Sequence, residues 1–406
     1  MNLTKFENPF RPGAGHMPPY LAGRINEQLE FRKVLKQRVI LENVVLTGLR
    51  GVGKTVLLET FKSIAHEGQW LWAGNDLSET SSITENNLAT RLLADVSLIT
   101  SSLVVQEYKQ TSMGFERGEK VLRQPLNFDI LKSHFDSVPG LISDKLKSTL
   151  ELVWAVMPQS AISGIVFAYD EAQNLADHAS RNEYPLSLLL EVFQSLQRKG
   201  VPFLLLLTGL PTLFPKLVEA RTYAERMFHI LFLQQLNEHD SRDAIVKPTD
   251  DSKCPLRFSE KTLQTVIKLS GGYPYFIQFM CKEIYDVWIA KVDSGEIASV
   301  PTSDIIRKLD TDFFQGRWAK ATDRQRELLM IIPTLSNCDD EFTVQEIAAA
   351  SKSGSAKPFT PSHINQMLSA LADAGLVYKN RHGKYSLAVP LLSQFIQRQA
   401  KEGGLM

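Results

Sequence analysis

Short, nearly continuous apolar runs alternate with helical patterns over the first part of the chain. The runs at 44–47 (VVLT), 165–169 (IVFAY) and 203–208 (FLLLLT) do not alternate with polar residues, so each predicts a buried strand of a parallel sheet that is covered on both faces. Apolar spacing of three and four residues predicts helices at 24–37, 54–66, 141–156, 186–199 and 215–228. Weaker signals predict strands at 69–75 and 230–233, with Asp76, Leu77 and Ser78 as the cap of a following helix.

The pattern changes twice farther along the chain. It becomes wholly helical from about residue 238, and a third pattern begins near residue 320. That last part has helical segments at 323–335, 344–350 and 361–374, and then two short strands around a turn at 381–383. Three helices followed by a hairpin is the order of a winged helix.

The three patterns together predict an α/β fold with three domains. These are a parallel-sheet core at 1–237, a helical lid at 238–318 and a C-terminal winged-helix domain at 319–406. The stretch from about 79 to 160 is longer than a connection between two strands requires, so it is interpreted as an insertion.

Composition and charge narrow the function classes. Hydrophobic residues make up 44% of the chain and charged residues 22%, as in ordinary globular proteins. Lys+Arg and Asp+Glu each number 45, so the net charge is zero and the chain as a whole is not a polycation dedicated to nucleic acid. A local basic patch is compatible with this balance. The three cysteines, Cys254, Cys281 and Cys338, are far apart and have no paired spacing, so the sequence indicates neither a zinc site nor a disulfide framework. The N-terminus lacks the apolar core of a signal peptide, and no apolar run is long enough to cross a bilayer, so we expect a cytoplasmic protein with no membrane partner.

The strongest chemical signal is the stretch 48–55, GLRGVGKT, between a predicted strand and a predicted helix. It matches the Walker A pattern at full spacing, in the strand–loop–helix context that this motif requires. Glycines let the backbone curl so that its N–H groups face phosphate oxygens, and the helix adds its positive end. Lys54 is predicted to reach the β- and γ-phosphates and Thr55 to ligate Mg²⁺. The predicted phosphate-contacting residues are Gly48, Arg50, Gly51, Val52, Gly53, Lys54, Thr55 and Val56.

A second signal is the apolar strand that ends in two adjacent acids, Asp170 and Glu171. This is the Walker B pattern, in which Asp170 would hold Mg²⁺ and Glu171 would polarise the attacking water. The alternative is a strand whose end carries solvated acids, which also suit the first turn of a helix.

A third signal is Thr208, which ends the next apolar strand. A polar residue at this position is interpreted as a sensor of the γ-phosphate; the alternative is a strand-terminal threonine in a turn. The guanine-reading NKxD motif does not occur in the chain. This favours ATP over GTP as the nucleotide.

Taken together, these motifs resemble the AAA+/STAND-type P-loop ATPases related to origin-recognition proteins, among bacterial ATP-binding proteins of the AAA family. The resemblance rests on GLRGVGKT, IVFAYDEA, LLLLTGLP, RTYAERMF and SGGYPYFIQ, and on the GRxxE element in LAGRINEQ. It implies an ATPase with ATP and Mg²⁺ as ligands and a homo-oligomer in the ATP-bound state.

The resemblance also implies roles for residues outside the Walker motifs. Arg24 would line the adenine side of the pocket, and Pro274 would approach the base or the ribose. Arg226 would match an arginine finger that acts on a neighbouring subunit's ATP, with Arg221 as the second candidate. For both arginines an ion pair on a solvated helix, for example with Glu225, is the alternative. Origin-recognition ATPases usually place an arginine near the element that matches GGYP, and none follows it directly in this chain.

Two switch functions remain open at the level of the sequence, beside a third possibility in which the chain is an ATP-binding scaffold that does not hydrolyse ATP. The first is a nucleotide-driven switch that assembles and acts on DNA, in replication, transposition or a mobile element. The second is an ATP-controlled regulator of a separate effector protein, in signalling or anti-phage defence, without direct DNA binding. The predicted DNA-reading helix is polar and carries no Lys or Arg, whereas the predicted wing has Lys379, Arg381, His382 and Lys384.

Overall fold

The fold is taken from a computed structural model of the chain. It describes residues 7–13, 15–37, 39–78, 80, 83–101, 104–111, 119–158, 161–251, 257–293, 302–354, 358–381 and 383–402. Two compact units are present. One contains the described residues within Met1–Arg24, Gly48–Val56 and Leu233–Met406, and the other contains those within Ile25–Thr47 and Leu57–Phe232.

Most elements of residues 25–233 alternate between strand and helix, as the apolar pattern predicted; the exceptions are a two-stranded hairpin and two pairs of consecutive helices. In chain order they are α1 Ile25–Leu35, β1 Asn43–Gly48, α2 Lys54–Glu67, β2 Trp70–Ala73, α3 Glu85–Thr100, β3 Val104–Thr111, β4 Glu119–Pro125, α4 Phe128–Ser137, α5 Ile142–Val156, β5 Gly164–Tyr169, α6 Pro185–Arg198, β6 Phe203–Gly209, α7 Leu213–Ala220, α8 Ala224–Met227 and β7 Phe228–Leu233.

A five-stranded sheet in the order β2-β5-β6-β1-β7 forms the centre of this part. The pairs β2–β5, β5–β6 and β1–β6 are parallel. Every residue of β1, β5 and β6 is buried, which explains why these strands read as continuous apolar runs in the sequence. The α/β fold class with a parallel-sheet core is therefore confirmed.

The stretch predicted as an insertion supplies part of the core that covers the sheet. Leu92 of α3 and Leu150 of α5 lie in the same buried cluster as Phe167 of β5 and Leu205 of β6. The antiparallel hairpin of β3 and β4 lies between these helices in the chain.

Two local predictions differ from the structure. The N-cap of α3 is Thr84, whose side chain accepts a hydrogen bond from Asn87 N, so residues 76–78 do not cap this α-helix. The helix predicted at 215–228 is broken into α7 and α8. Arg221 has extended backbone angles, φ −146° and ψ 117°, and this conformation ends α7.

Residues 238–402 are mostly helical. Their elements are α9 Glu238–Asp251, α10 Glu260–Ser270, α11 Pro274–Asp293, α12 Thr302–Leu309, a π-helical turn at Asp310–Gln315, α13 Gly316–Trp318, α14 Asp323–Ile331, β8 Phe342–Thr343, α15 Val344–Gly354, α16 Pro361–Asp373, β9 Val377–Arg381, β10 Lys384–Leu387 and α17 Leu392–Glu402. The last strands form a sheet in the order β8-β10-β9. The predicted helices and hairpin are present here, together with β8 and α17, which were not predicted; the winged-helix assignment stays a prediction.

One hydrophobic cluster runs through these helical residues. It joins Ile277 of α11 and Leu309 of α12 with Leu368 of α16 and Phe395 of α17. The cluster thus spans the predicted boundary between lid and C-terminal domain at 318/319, and the domain boundaries stay a prediction. In the described part of the chain, no helix is both long and apolar enough to cross a membrane.

Candidate functional site

The loop after β1 has the backbone that the Walker A pattern requires. Gly51 and Gly53 have φ of 82° and 92°, in a region that a β-carbon disfavours. A β-carbon added at Gly53 would meet no atom within 4 Å, so its glycine is needed for conformation and not for space. At Gly51 a β-carbon would also come within 3.2 Å of Tyr275 Cβ. Both glycines therefore hold the loop in a tight curl.

Lys54, the first residue of α2, turns its side chain back over this loop. Its Nζ donates to Gly48 O at 2.9 Å and to Leu49 O at 3.0 Å. The positive charge is thereby held against the loop backbone. Thr55, the next residue, is exposed at the start of α2. A loop with backbone amides, a lysine and a helix N-terminus can hold phosphate groups.

Arg24 is hydrogen-bonded to the same loop. It is 5% exposed, and its Nη2 donates to Val52 O at 3.0 Å and to Gln234 O at 2.8 Å. These bonds tie the loop to the segment that follows β7. The role of Arg24 on the adenine side of a nucleotide stays a prediction.

The turn that precedes α11 also contacts the loop. Pro274 is the first residue of α11, and the N–H of its neighbour Tyr275 donates to Gly51 O at 3.2 Å. Gly272 O accepts from Leu236 N at 2.8 Å. The GGYP element thus lies beside the Walker A loop; the approach of Pro274 to the base or the ribose stays a prediction.

Arg317 is a basic residue near the loop that sequence reasoning missed. It lies just after the π-helical turn, where its Nη1 donates to Phe313 O at 2.7 Å and its guanidinium lies 4.7 Å from the centre of the Phe313 ring. Partial burial lowers the pKa of Arg317, and the positive charge of Arg50 lowers it further. Two arginines that repel each other beside a phosphate loop are suited to an anionic ligand.

The two predicted Walker B acids follow β5. Asp170 is 5% exposed, and its Oδ1 accepts from Glu171 N at 2.8 Å. Glu171 itself is exposed and has left-handed backbone angles, φ 52° and ψ 32°. The buried acid therefore lies at the end of a sheet strand, whereas the exposed acid has an unusual backbone conformation.

Thr208 lies next to Asp170 at the carboxyl edge of the sheet. Tyr169 pairs with Leu207, so continuing this register by one residue brings Asp170 level with Thr208. On its other side Thr208 pairs with Leu46 of β1. The hydroxyl of Thr208 is fully buried, and it has no hydrogen-bond partner among the described residues.

The hydroxyl of Thr47 also has no partner within the described ranges. Thr47 pairs with Gly209, and successive residues of a strand face opposite ways, so the two hydroxyls lie on opposite faces. Only Thr208 shares the face of Asp170. Native proteins rarely leave buried polar atoms without a partner, so the Thr208 hydroxyl marks the face that carries Asp170 as a place where a polar ligand fits.

The two arginine-finger candidates differ in their surroundings. Arg221 lies 3.9 Å from Glu191 of α6 and interacts with Tyr223. Arg226 of α8 is exposed and forms no ion pair within the described part of the chain. The Arg226 side chain is therefore accessible to a second molecule, whereas Arg221 contacts residues of its own chain.

The predicted DNA-reading helix is α16. Its polar residues all face solvent: Ser362, His363, Asn365, Gln366 and Ser369. Of the predicted wing, Lys379 is exposed and Lys384 lies 3.8 Å from Glu341, whereas His382 lies outside the described residues.

Comparison with known proteins gives matches in fold and one match in sequence. Residues 311–396 match a family described as a domain of unknown function, DUF8462. No curated protein matches the chain.

Solved structures resemble nearly the whole chain at low sequence identity. The chain is similar to the Walker-type ATPase of Pyrococcus abyssi, with a TM-score of 0.56 and 16% identity over 93% of this chain and 96% of that one. It is also similar to the ADP form of the ORC2 protein of Aeropyrum pernix, with a TM-score of 0.55 and 15% identity over 96% and 97% of the two chains. A second structure of that ORC2 protein, with ADPNP and ADP, gives a TM-score of 0.51 and 15% identity over 97% and 98%. The chain therefore has the fold of the P-loop ATPases related to origin-recognition proteins.

Proposed function

We propose that this chain binds ATP with Mg²⁺ and hydrolyses it as a molecular switch. In this proposal the loop from Gly48 to Val56 holds the phosphates, and Thr55 and Asp170 hold Mg²⁺. Glu171 polarises the attacking water, and Thr208 contacts the γ-phosphate. Arg50 and Arg317 offer further positive charge to the phosphates.

The observation that carries the proposal is the buried hydroxyl of Thr208 beside Asp170. It has no partner among the described residues, and leaving such a group unpaired costs about 1–3 kcal/mol. A strand that only needed to pack would place valine there. The cost is explained if the partner is a phosphate oxygen or the water that attacks it.

The chemistry needs no covalent intermediate. The oxygen of water bonds to the γ-phosphorus, the bond from that phosphorus to the β–γ bridging oxygen breaks, and a proton leaves the water to give ADP and phosphate. When bound, Mg²⁺ neutralises charge on the β- and γ-phosphates, and it usually takes only one or two carboxylates in such sites. This agrees with the finding that the described residues contain no group of three metal-ligating side chains of the His, Cys, Asp and Glu types.

Self-assembly in the ATP state is part of the proposal. Exposed Arg226, without an ion pair among the described residues, is suited to reach the γ-phosphate on a second copy of this chain. DNA is the proposed target, contacted through the exposed polar face of α16 and the lysines near β9 and β10.

The alternative is a switch that controls a separate effector protein and does not bind DNA directly. The absence of Lys and Arg from α16 favours it, because phosphate contacts supply most of the affinity for DNA. The hydrophobic cluster shared by α11, α12 and α17 favours it too, since it ties the C-terminal residues to the lid.

The test is purification of the wild type and Glu171→Gln with ATP, followed by measurement of bound nucleotide, ATP turnover and DNA retention at rising salt. We expect both proteins to bind ATP, only the wild type to turn it over, and Glu171→Gln to accumulate as an oligomer. Retention on DNA that falls as the salt concentration rises supports DNA as the target. Failure to bind DNA at low salt with ATP present supports the alternative, control of a separate effector protein. If neither protein retains nucleotide, the proposed function is wrong.

A further inference from the structure

Glu171 is held in an unfavourable conformation by contacts on both sides. Its left-handed backbone is disfavoured for a residue with a β-carbon. Its N–H donates to Asp170 Oδ1 at 2.8 Å, and its carbonyl accepts from Asn174 N at 3.0 Å. These bonds fix the backbone of Glu171, but they leave the direction of its carboxylate open.

The carboxylate is contacted by Gln173, two residues farther along. Gln173 Nε2 donates to Glu171 Oε2, and Gln173 Oε1 accepts from Leu210 N at 3.1 Å. A backbone N–H can only donate, so the amide oxygen must face Leu210 and the NH₂ group must face Glu171. The orientation of the Gln173 amide is therefore determined by its two partners.

Gln173 is itself anchored at its backbone and has little room to move. Its carbonyl accepts from Lys216 Nζ at 2.8 Å, and partial burial lowers the pKa of Lys216. A β-carbon at Gly209 would come within 2.5 Å of Gln173 Oε1. The glycine after Thr208 thus leaves space for the amide, and the turn after β6 and the Walker B glutamate share one bridging side chain.

We propose that Gln173 is a positioning residue that aims the carboxylate of Glu171 and couples it to the turn that follows Thr208. This inference rests on the proposed function. A displacement of the Thr208–Leu210 turn by a bound γ-phosphate moves the Leu210 N–H that donates to Gln173 Oε1, and the NH₂ group of Gln173 moves with it. Glu171 is then directed at the water only when that turn has its phosphate-bound arrangement.

Two substitutions test the bridge in full-length protein. Gln173→Met keeps the size and removes both polar contacts, so kcat for ATP hydrolysis should fall about 10- to 100-fold with KM within about twofold. Gln173→Glu keeps an acceptor for Leu210 N–H but sets a second carboxylate against Glu171. The two carboxylates repel each other and Glu171 loses its donor, so kcat should fall at least as far as in Gln173→Met, again with KM within about twofold.

A third substitution displaces the Gln173 amide without replacing Gln173 itself. Gly209→Ala pushes on Gln173 Oε1 and should lower kcat in the same direction as Gln173→Met. The matched control is Gln264→Met on α10, where an exposed glutamine makes the same kind of contact, Nε2 to Glu238 Oε1 at 2.9 Å; its kcat should equal that of the wild type. Thermal melts of each variant show whether it is folded.

The outcomes separate this inference from the proposed function. If the wild type neither binds nor hydrolyses ATP, both fail together. If the wild type turns over ATP but Gln173→Met or folded Gln173→Glu keeps the wild-type kcat, only the role of Gln173 is overturned. A loss confined to KM also overturns it, because positioning of Glu171 acts on the chemical step.

Discussion

The energetic cost of burying a hydroxyl is usually offset by a hydrogen bond. Thr100 and Thr208 differ in whether such a bond is present. Thr100 Oγ1 donates to Leu126 O at 2.7 Å, whereas Thr208 Oγ1 has no partner among the described residues. Both residues are fully buried. Replacing each by valine removes the same atom from the same kind of environment.

We expect the two substitutions to have opposite effects on stability. Thr208→Val should raise the free energy of unfolding of the nucleotide-free protein by about 1 kcal/mol, because an unsatisfied buried group is removed. Thr100→Val should lower it by about 1–2 kcal/mol, because Leu126 O loses its donor. Urea unfolding without nucleotide measures both. Equal destabilisation by the two variants would mean that Thr208 is satisfied in solution.

Arg226 gives a second prediction at the scale of one residue. Arg226→Ala should leave the melting temperature unchanged and lower ATP turnover at high protein concentration, since its side chain is exposed. Mixing it with Glu171→Gln should restore turnover, because the second protein supplies an intact Arg226 to the first one's intact Glu171.

Turnover of the mixture equal to the sum of the two separate variants would count against an arginine shared between subunits. Arg221→Ala serves as the control: it removes an ion pair at 3.9 Å that is partly exposed. Such pairs contribute little to stability, and mixing should give no rescue.

At the scale of the elements, the N-terminus of helix α15 is capped by two polar residues that are hydrogen-bonded to each other. Glu346 Oε2 accepts from Thr343 Oγ1 at 2.8 Å and from Thr343 N at 2.6 Å, while Glu346 N donates to Thr343 Oγ1 at 3.2 Å. Hydrogen bonds from Thr343 lower the pKa of Glu346 below its ordinary value of 4.5. This is the reciprocal capping arrangement of helix N-termini.

We expect Glu346→Gln to destabilise this element by about 0.5 kcal/mol at neutral pH, a small value because Glu346 is exposed. A lowered pKa in the folded state means that the stabilisation is present above about pH 4.5 and is lost as the pH falls through the folded pKa. Urea midpoints of the two proteins at pH 7 and pH 3 measure it. A difference that persists at pH 3 would assign the effect to the hydrogen bonds and not to the charge.

The elements also show what could be predicted from the sequence. Buried parallel strands read as continuous apolar runs, and the glycine spacing of the loop is a backbone requirement, so β1, β5, β6 and the loop were all correctly located. The break between α7 and α8 was missed because Arg221 and its neighbours are compatible with a helix; the extended conformation of Arg221 ends it. Arg317 was missed because it lies in a distant helix, and the bridge from Gln173 to Leu210 because it joins two different turns.

At the scale of the molecule, one ion pair links the π-helical turn to the last helix, α17. Arg398 of α17 contacts Asp310 through Nε at 2.8 Å and Nη2 at 2.5 Å. The Asp310 side chain is 13% exposed. Beside it, the rings of Phe314 and Phe395 stack with centres 5.1 Å apart.

We expect Arg398→Met to destabilise this unit as a whole. It leaves Asp310 largely buried without its bidentate partner, at a cost of about 2–3 kcal/mol. Because one hydrophobic cluster includes both α11 and α16, amide hydrogen exchange should speed up in both helices together. Faster exchange in α14–α17 alone would indicate that the lid and the C-terminal residues unfold independently, in agreement with the predicted boundary. The double variant Asp310→Leu with Arg398→Met should recover part of the loss.

The π-helical turn at Asp310–Gln315 has a consequence for how this chain can tolerate change. It follows α12 and leads directly into α13, and a π-turn accommodates one residue more than an α-helical turn. Deleting a single residue there would convert it into an ordinary α-helical turn, and the helices on either side would keep their facing, because the extra residue of the π-turn is the one removed. In a regular α-helix the same deletion rotates everything after it by about 100°, since such a helix has 3.6 residues per turn. An in-frame loss of one codon should therefore leave Arg317 in its place when it falls in this turn, and move it when it falls in α12.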